Sequence, residues 1–126
     1  MKKVLIIDDE VKLREDIVEL FSFIGYEIIE AQDGLESLEK VKLHHPNVII
    51  CDVMMPVLDG YGFLKKHTTS EYSHIPVVLL TAKTEELDEK TGILLGAKGY
   101  IKKPFSFRDL KQIVEHKVRQ AYEKIK

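Results

Sequence analysis

The chain has one cysteine, Cys51, so no disulfide can form within it, and a reducing compartment suits it best. No apolar run approaches the roughly 18 residues that a membrane span needs. The first residues, MKKVLIIDDE, place only VLII between the lysines and the acids, too short a core for a secretion signal. A cytoplasmic protein with no membrane partner is the expectation. Charge of one sign is also missing. The 19 basic and 21 acidic residues leave a net −2, which argues against direct nucleic-acid binding. His44, His45, His67, His74 and His116 show no zinc-ligand spacing and read as surface residues. Repeats, low-complexity tracts and internal linkers are absent, so residues 1–126 read as a single domain.

What is present is a regular alternation of apolar runs and amphipathic segments. VLIID (4–8), YEIIEA (26–31), NVIICD (47–52), IPVVLLTA (75–82) and GYIKK (99–103) read as strands. Between them, Leu13, Ile17, Leu20, Phe21 and Ile24 recur at helical spacing until Gly25. Asp33 with Glu36 resembles a capping box before the stripe Leu35, Leu38 and Val41, which Pro46 closes. Short helices follow around 61–68 and 85–95, the second weakened by Thr91 and Gly92. Ser106 and Asp109 open a last helix, about 106–125, with the stripe Leu110, Ile113, Val114, Val118, Ala121, Tyr122 and Ile125. Strands that are apolar throughout, rather than alternating, imply a parallel sheet covered on both faces, and hence an α/β doubly wound fold.

In such a sheet all strand C-termini share one edge, where ligands bind. Asp8 and Asp9 follow the first strand, Asp52 ends the third, Thr81 falls late in the fourth and Lys103 follows the fifth. Three carboxylates gathered in one crevice need a cation, and oxygen ligands alone favour Mg²⁺, with Mn²⁺ as a substitute. The Thr81 hydroxyl and the Lys103 ammonium suit phosphate oxygens. A carboxylate can itself be the nucleophile and form an aspartyl phosphate. The Asp8–Asp9 pair suits the metal and the solitary Asp52 suits attack. Taken alone, Asp8 and Asp9 also fit a helix cap and first-turn acid, Thr81 a strand residue with a bonded hydroxyl, and Lys103 a solvated charge. Cys51, one residue before Asp52, points to the opposite face as a small core residue, and Met54 and Met55 read as loop packing.

VLIIDDE (4–10), IICDVMMPVLDG (49–60), PVVLLTA (76–82) and GAKGYIKKPF (96–105), in that order, resemble the receiver domain of two-component response regulators, of the chemotaxis type. The resemblance covers nearly the whole chain. It implies a flavodoxin-like sheet of order 2-1-3-4-5 flanked by five helices. It implies that Asp52 accepts a phosphoryl group from a phosphohistidine on a sensor histidine kinase or phosphotransfer protein. Asp9 would then ligate Mg²⁺ directly and Asp8 through water, with Asp52 and the backbone carbonyl of Met54 completing the protein ligands. Thr81 becomes the switch hydroxyl, Tyr100 the switch aromatic and Lys103 the family's lysine, with a cis bond to Pro104. Met54 and Lys83 occupy the positions that tune phosphate lifetime. The 85–105 surface, formed by the fourth helix, fifth strand and fifth helix, would face a downstream effector or output domain.

The last helix continues beyond the length needed to cover the sheet, so its Ala121–Tyr122–Ile125 edge points to a homodimer partner or an output domain of a longer, DNA-binding regulator. A frayed solvated end is the plain alternative. A Mg²⁺-dependent phosphatase or nuclease is a competing reading, but phosphatases with an Asp nucleophile show D-x-D after the first strand, whereas these acids are adjacent. A flavin carrier of the same fold is disfavoured because Asp8, Asp9 and Glu10 repel a phosphate. A receiver that works without phosphorylation would have lost Asp52, the acid pair or Lys103. The chain is therefore expected to be a phosphoacceptor rather than an enzyme with a separate substrate.

Overall fold

Val, Ile and Leu fill both alternating faces of the central strands, so each strand must be covered on two sides. The computed structural model describes residues 1–55, 57–81 and 86–125 and shows that arrangement. The order is β1 (Lys3–Ile7), α1 (Val11–Phe23), β2 (Glu27–Ala31), α2 (Gly34–His44), β3 (Val48–Asp52), α3 (Gly60–Thr68), β4 (Val77–Thr81), α4 (Glu86–Leu94), β5 (Gly99–Lys102) and α5 (Phe107–Ile125). The five strands are parallel in the order β2-β1-β3-β4-β5. Val4, Ile6, Ile50 and Leu80 pack with Ile17 and Phe21 of α1 and Leu110 and Val114 of α5. Leu5, Ile49, Cys51 and Leu79 pack on the other face, with Val41 of α2 and Phe63 and Leu64 of α3. Cys51 therefore faces away from the α1/α5 layer, as the pleat requires.

Local chemistry sets the element ends. Asp33 Oδ1 accepts from Glu36 N at 2.9 Å, Asp59 Oδ1 from Gly62 N at 2.8 Å and Ser106 Oγ from Asp109 N at 3.1 Å, each satisfying a helix-start amide. At the end of α1, Gly25 takes φ +100°, its N–H donates to Ser22 O and Tyr26 N–H donates to Phe21 O at 2.9 Å. Tyr26 then packs edge-on against Phe21, with ring centroids 5.3 Å apart. That hydrogen-bond pair with its apolar contact is a Schellman stop, and it turns the chain into β2.

The structure corrects three side-chain readings, those of Leu35, Met54 and His67. Leu35 is 53% exposed, while Gly34, Ser37 and Val41 face the core. A Cβ at position 34 would approach Leu58 O to 2.5 Å, so the helix docks through its small residues and Leu35 turns out. Met54 is 68% exposed rather than packed, whereas Met55 does pack on the core. The exposed edge expected on α5 is met at Tyr122, with Ala121 half-buried; the Ile125 side chain lies outside the described residues. His67 is not a surface residue. It is buried, stacks on Phe63 at 5.6 Å and places Nε2 2.9 Å from Ile75 O. A carbonyl only accepts, so Nε2 carries a proton and donates it to Ile75 O.

Burial lowers the His67 pKa below its usual value. The unfolded chain therefore takes up a proton before the folded one does, and stability is lost as pH falls below about 6.5. Urea unfolding of wild type and His67→Gln between pH 7.5 and 5.5 should show a smaller loss of stability in the variant, which keeps a donor for Ile75 O but cannot titrate. An identical loss in both would show that His67 does not drive it.

Candidate functional site

The sheet order fixes where the acids meet. The crossover after β1 leads to one side and β3 lies on the other, so the two strands are neighbours at the reversal. Ile7 pairs with Cys51, which sets Asp8 beside Asp52 one step further along. Carboxylate oxygens of Asp8, Asp9 and Asp52 lie within 4.8 Å of one another. Asp8 is fully buried, Asp52 is 6% exposed and Asp9 faces solvent. Lys103 follows β5, its N–H donating to Thr81 O at 2.7 Å, and its Nζ reaches 3.3 Å from Asp52 Oδ1.

Asp8 is held on almost every polar atom. Its N–H donates to Ala31 O at 3.2 Å, its Oδ1 accepts from Glu10 N at 2.9 Å and its carbonyl accepts from Arg14 Nη1 at 2.6 Å. Asp8 Oδ2 is buried and has no hydrogen-bond partner among the described residues. Burial pushes the Asp8 carboxyl up to about 6, with the Asp52 charge adding to the shift. Burial also raises Asp52, against the opposing pull of the Lys103 ammonium. Cys51 is raised by burial, as befits an inert core thiol.

The bland alternatives for the acid pair are only partly met. Glu10 holds the N-cap position of α1 with no side-chain cap, and Asp8 Oδ1 serves the Glu10 amide instead. Thr81 is buried and its Oγ1 has no partner among the described residues, so the hydroxyl is not used as a hydrogen bond to the neighbouring strands. Tyr100 sits further back. It pairs with Leu79 across β4 and β5 and packs, half-buried, on the α2/α3 side of the sheet. Met54 projects into solvent, and Lys83 lies outside the described residues. The Lys103–Pro104 bond is cis.

Two positions escaped the sequence reading. Gly60 begins α3 directly beneath β3, and a Cβ there would collide with Asp52 O and come within 2.8 Å of Val53 Cα. Only glycine lets α3 approach the strand end so closely. Arg14 sits in the first helical turn of α1, where a cation opposes the helix dipole.

An open parallel α/β sheet with a buried, lysine-topped acidic crevice at its C-terminal edge defines a class of oxygen-ligand sites suited to a divalent cation and a phosphoryl group. The response regulator receiver domain family matches residues 4–115, and the chain belongs to it. The chain is 42% identical over 120 residues to a probable transcriptional regulator, ycf27, of Cyanophora paradoxa, covering 95% of this chain and 49% of that protein. It is 40% identical over 124 residues to the alkaline phosphatase synthesis transcriptional regulatory protein PhoP of Bacillus subtilis, covering 95% and 50%. The chain thus spans about half the length of the curated relatives it matches. Among solved structures, the chemotaxis response regulator CheY4 of Vibrio cholerae shares 35% identity at a TM-score of 0.85, covering 93% of this chain and 98% of that one. A response regulator of Chloroflexus aurantiacus, described as putative, shares 29% at a TM-score of 0.90, covering 94% and 98%. Receiver domains are phosphoacceptor signalling domains rather than enzymes with a separate substrate.

The raised Asp8 pKa makes this carboxylate a cost to the fold whenever it is ionised without a cation. That cost is complete above pH 6 and fades toward pH 4 as the folded state binds its proton. Asp8→Asn should therefore stabilise the cation-free domain at pH 7.5 by about 1–3 kcal/mol, with the gain shrinking toward pH 4. Thermal unfolding in a chelating buffer checks it.

Proposed function

We propose that the chain is a phosphorylation-operated switch whose acceptor is Asp52. The observation that carries this reading is the crevice itself, in which Asp8, Asp9 and Asp52 are gathered within 4.8 Å and Lys103 reaches Asp52 Oδ1. The buried, unpartnered Asp8 Oδ2 and the all-oxygen donor set fit Mg²⁺, or Mn²⁺ in its place. Asp9 and Asp52, with Asp8 behind them and the Met54 carbonyl, are the protein groups that would hold it. When bound, the cation offsets charge on the acids and on the phosphoryl oxygens.

The donor is a phosphohistidine on a sensor kinase or phosphotransfer protein. An Asp52 carboxylate oxygen attacks phosphorus, the P–N bond breaks, and the departing imidazole takes up a proton. Lys103 moves from the Asp52 carboxylate to the incoming phosphoryl oxygens as a charge-assisted donor. Thr81, whose hydroxyl has no partner, turns its proton toward another of those oxygens. That motion frees space along β4 into which Tyr100 rotates, changing the surface of α4, β5 and α5. Ile93 and Leu94 are exposed on α4 and offer that surface an apolar contact. A downstream effector, an output domain or a second copy of the chain reads it.

The transcriptional regulators at 40–42% identity, about twice as long, favour a place for this domain within a longer cytoplasmic regulator. Residues 1–126 form its receiver unit. Exposed, apolar Met54 cannot orient a hydrolytic water, so the phosphate persists for minutes or longer rather than seconds.

Intact mass after incubation with acetyl phosphate tests the reading. A single phosphoryl adduct that requires Mg²⁺ and is absent in Asp52→Asn is expected. An adduct that survives Asp52→Asn would remove Asp52 from its role, and decay of the wild-type adduct within seconds would contradict the part given to Met54.

A further inference from the structure

Arg14 makes two contacts that serve neither α1 nor the core. Its Nη1 donates to the Asp8 carbonyl at 2.6 Å, and its Nε lies 3.1 Å from Glu30 Oε1 on β2. The Arg14 side chain is 12% exposed. Asp8 itself is fixed from three further directions: by Ala31 O, by Glu10 N and by the strand that precedes it. One atom is left over, the buried Oδ2. A cation near the start of a helix works against the helix dipole, and here the Arg14 charge is met outside α1, by the Asp8 carbonyl and Glu30.

We infer that Arg14, braced by Glu30, is a positioning residue for the cation site: it clamps the Asp8 backbone so that Oδ2 is presented to the ion. The inference rests on the Mg²⁺ reading above. Guanidinium nitrogens in a fixed plane can engage a carbonyl and a carboxylate at once, which an ammonium on a flexible stem does less well. Groups that orient a ligand without touching the metal typically change its affinity 10–100-fold when removed.

The sign of the effect separates this role from simple charge. Taking a positive charge away from a cation site should tighten Mg²⁺ binding on electrostatic grounds. Loss of the clamp should weaken it. Calorimetric Mg²⁺ titration of wild type, Arg14→Met and Arg14→Lys makes the test, together with the Mg²⁺ dependence of acetyl phosphate labelling. About tenfold weaker Mg²⁺ binding is expected in Arg14→Met, and about threefold or more in Arg14→Lys, where charge is kept and the bridge is lost. Labelling at saturating Mg²⁺ should reach the wild-type rate, with only the half-saturating concentration shifted. Unchanged or tighter binding in either variant overturns the role of Arg14. Should Arg14→Met not fold, Arg14→Lys decides alone. Wild type that binds no Mg²⁺ overturns the underlying reading and this inference with it.

Discussion

Crowding of like charge at one strand edge is the constraint around which this domain is built. Three carboxylates within 4.8 Å repel one another, and two of them are removed from water. Nothing in the local sequence around Asp8 or Asp52 favours this. It follows from a parallel sheet whose order puts β1 beside β3, with the strands' core positions filled mostly by Val, Ile and Leu. The packing on both faces holds the strands in register, and the register holds the acids together. Lys103, arriving from β5 on the far side of β4, relieves part of the repulsion.

The parts around the acids make sense as responses to that crowding. Asp8 is tied through its amide, carbonyl and Oδ1, so its remaining oxygen has little freedom. Gly60 allows α3 to press against the Asp52 backbone. Thr81 keeps a buried hydroxyl unbonded at the end of β4, which ordinary folding would disfavour. A buried donor without an acceptor and a buried acceptor without a donor, at the strand ends on either side of β3, describe a site completed by something from outside.

Much of this was legible in the sequence because it is written in long-range pattern. Apolar runs of four to five residues ending in acids specify buried parallel strands, and parallel strands bring their ends together without further information. The helix starts were legible where a side chain caps them, at Asp33 and Ser106. What stayed hidden depends on close approach in three dimensions. The small Gly34 and Ser37 dock α2 and turn Leu35 outward. Buried His67 finds its partner in Ile75 O, eight residues on, across a loop that no spacing rule describes. Arg14 reaches Glu30 across a whole helix and strand. Tyr100 is legible as a half-buried strand aromatic, while its relation to Thr81 depends on a change of state that one conformation does not contain.

The most direct test of the central claim is to locate the phosphoryl group chemically. Borohydride reduces an acyl phosphate to the alcohol, so a phosphorylated aspartate becomes homoserine, which peptide mass mapping assigns to a position. Acetyl phosphate labelling in Mg²⁺ followed by this reduction should give homoserine at position 52 and at no other acid. Homoserine at position 8 or 9 would reverse the division of labour among the three carboxylates, and none anywhere would contradict the phosphoacceptor account.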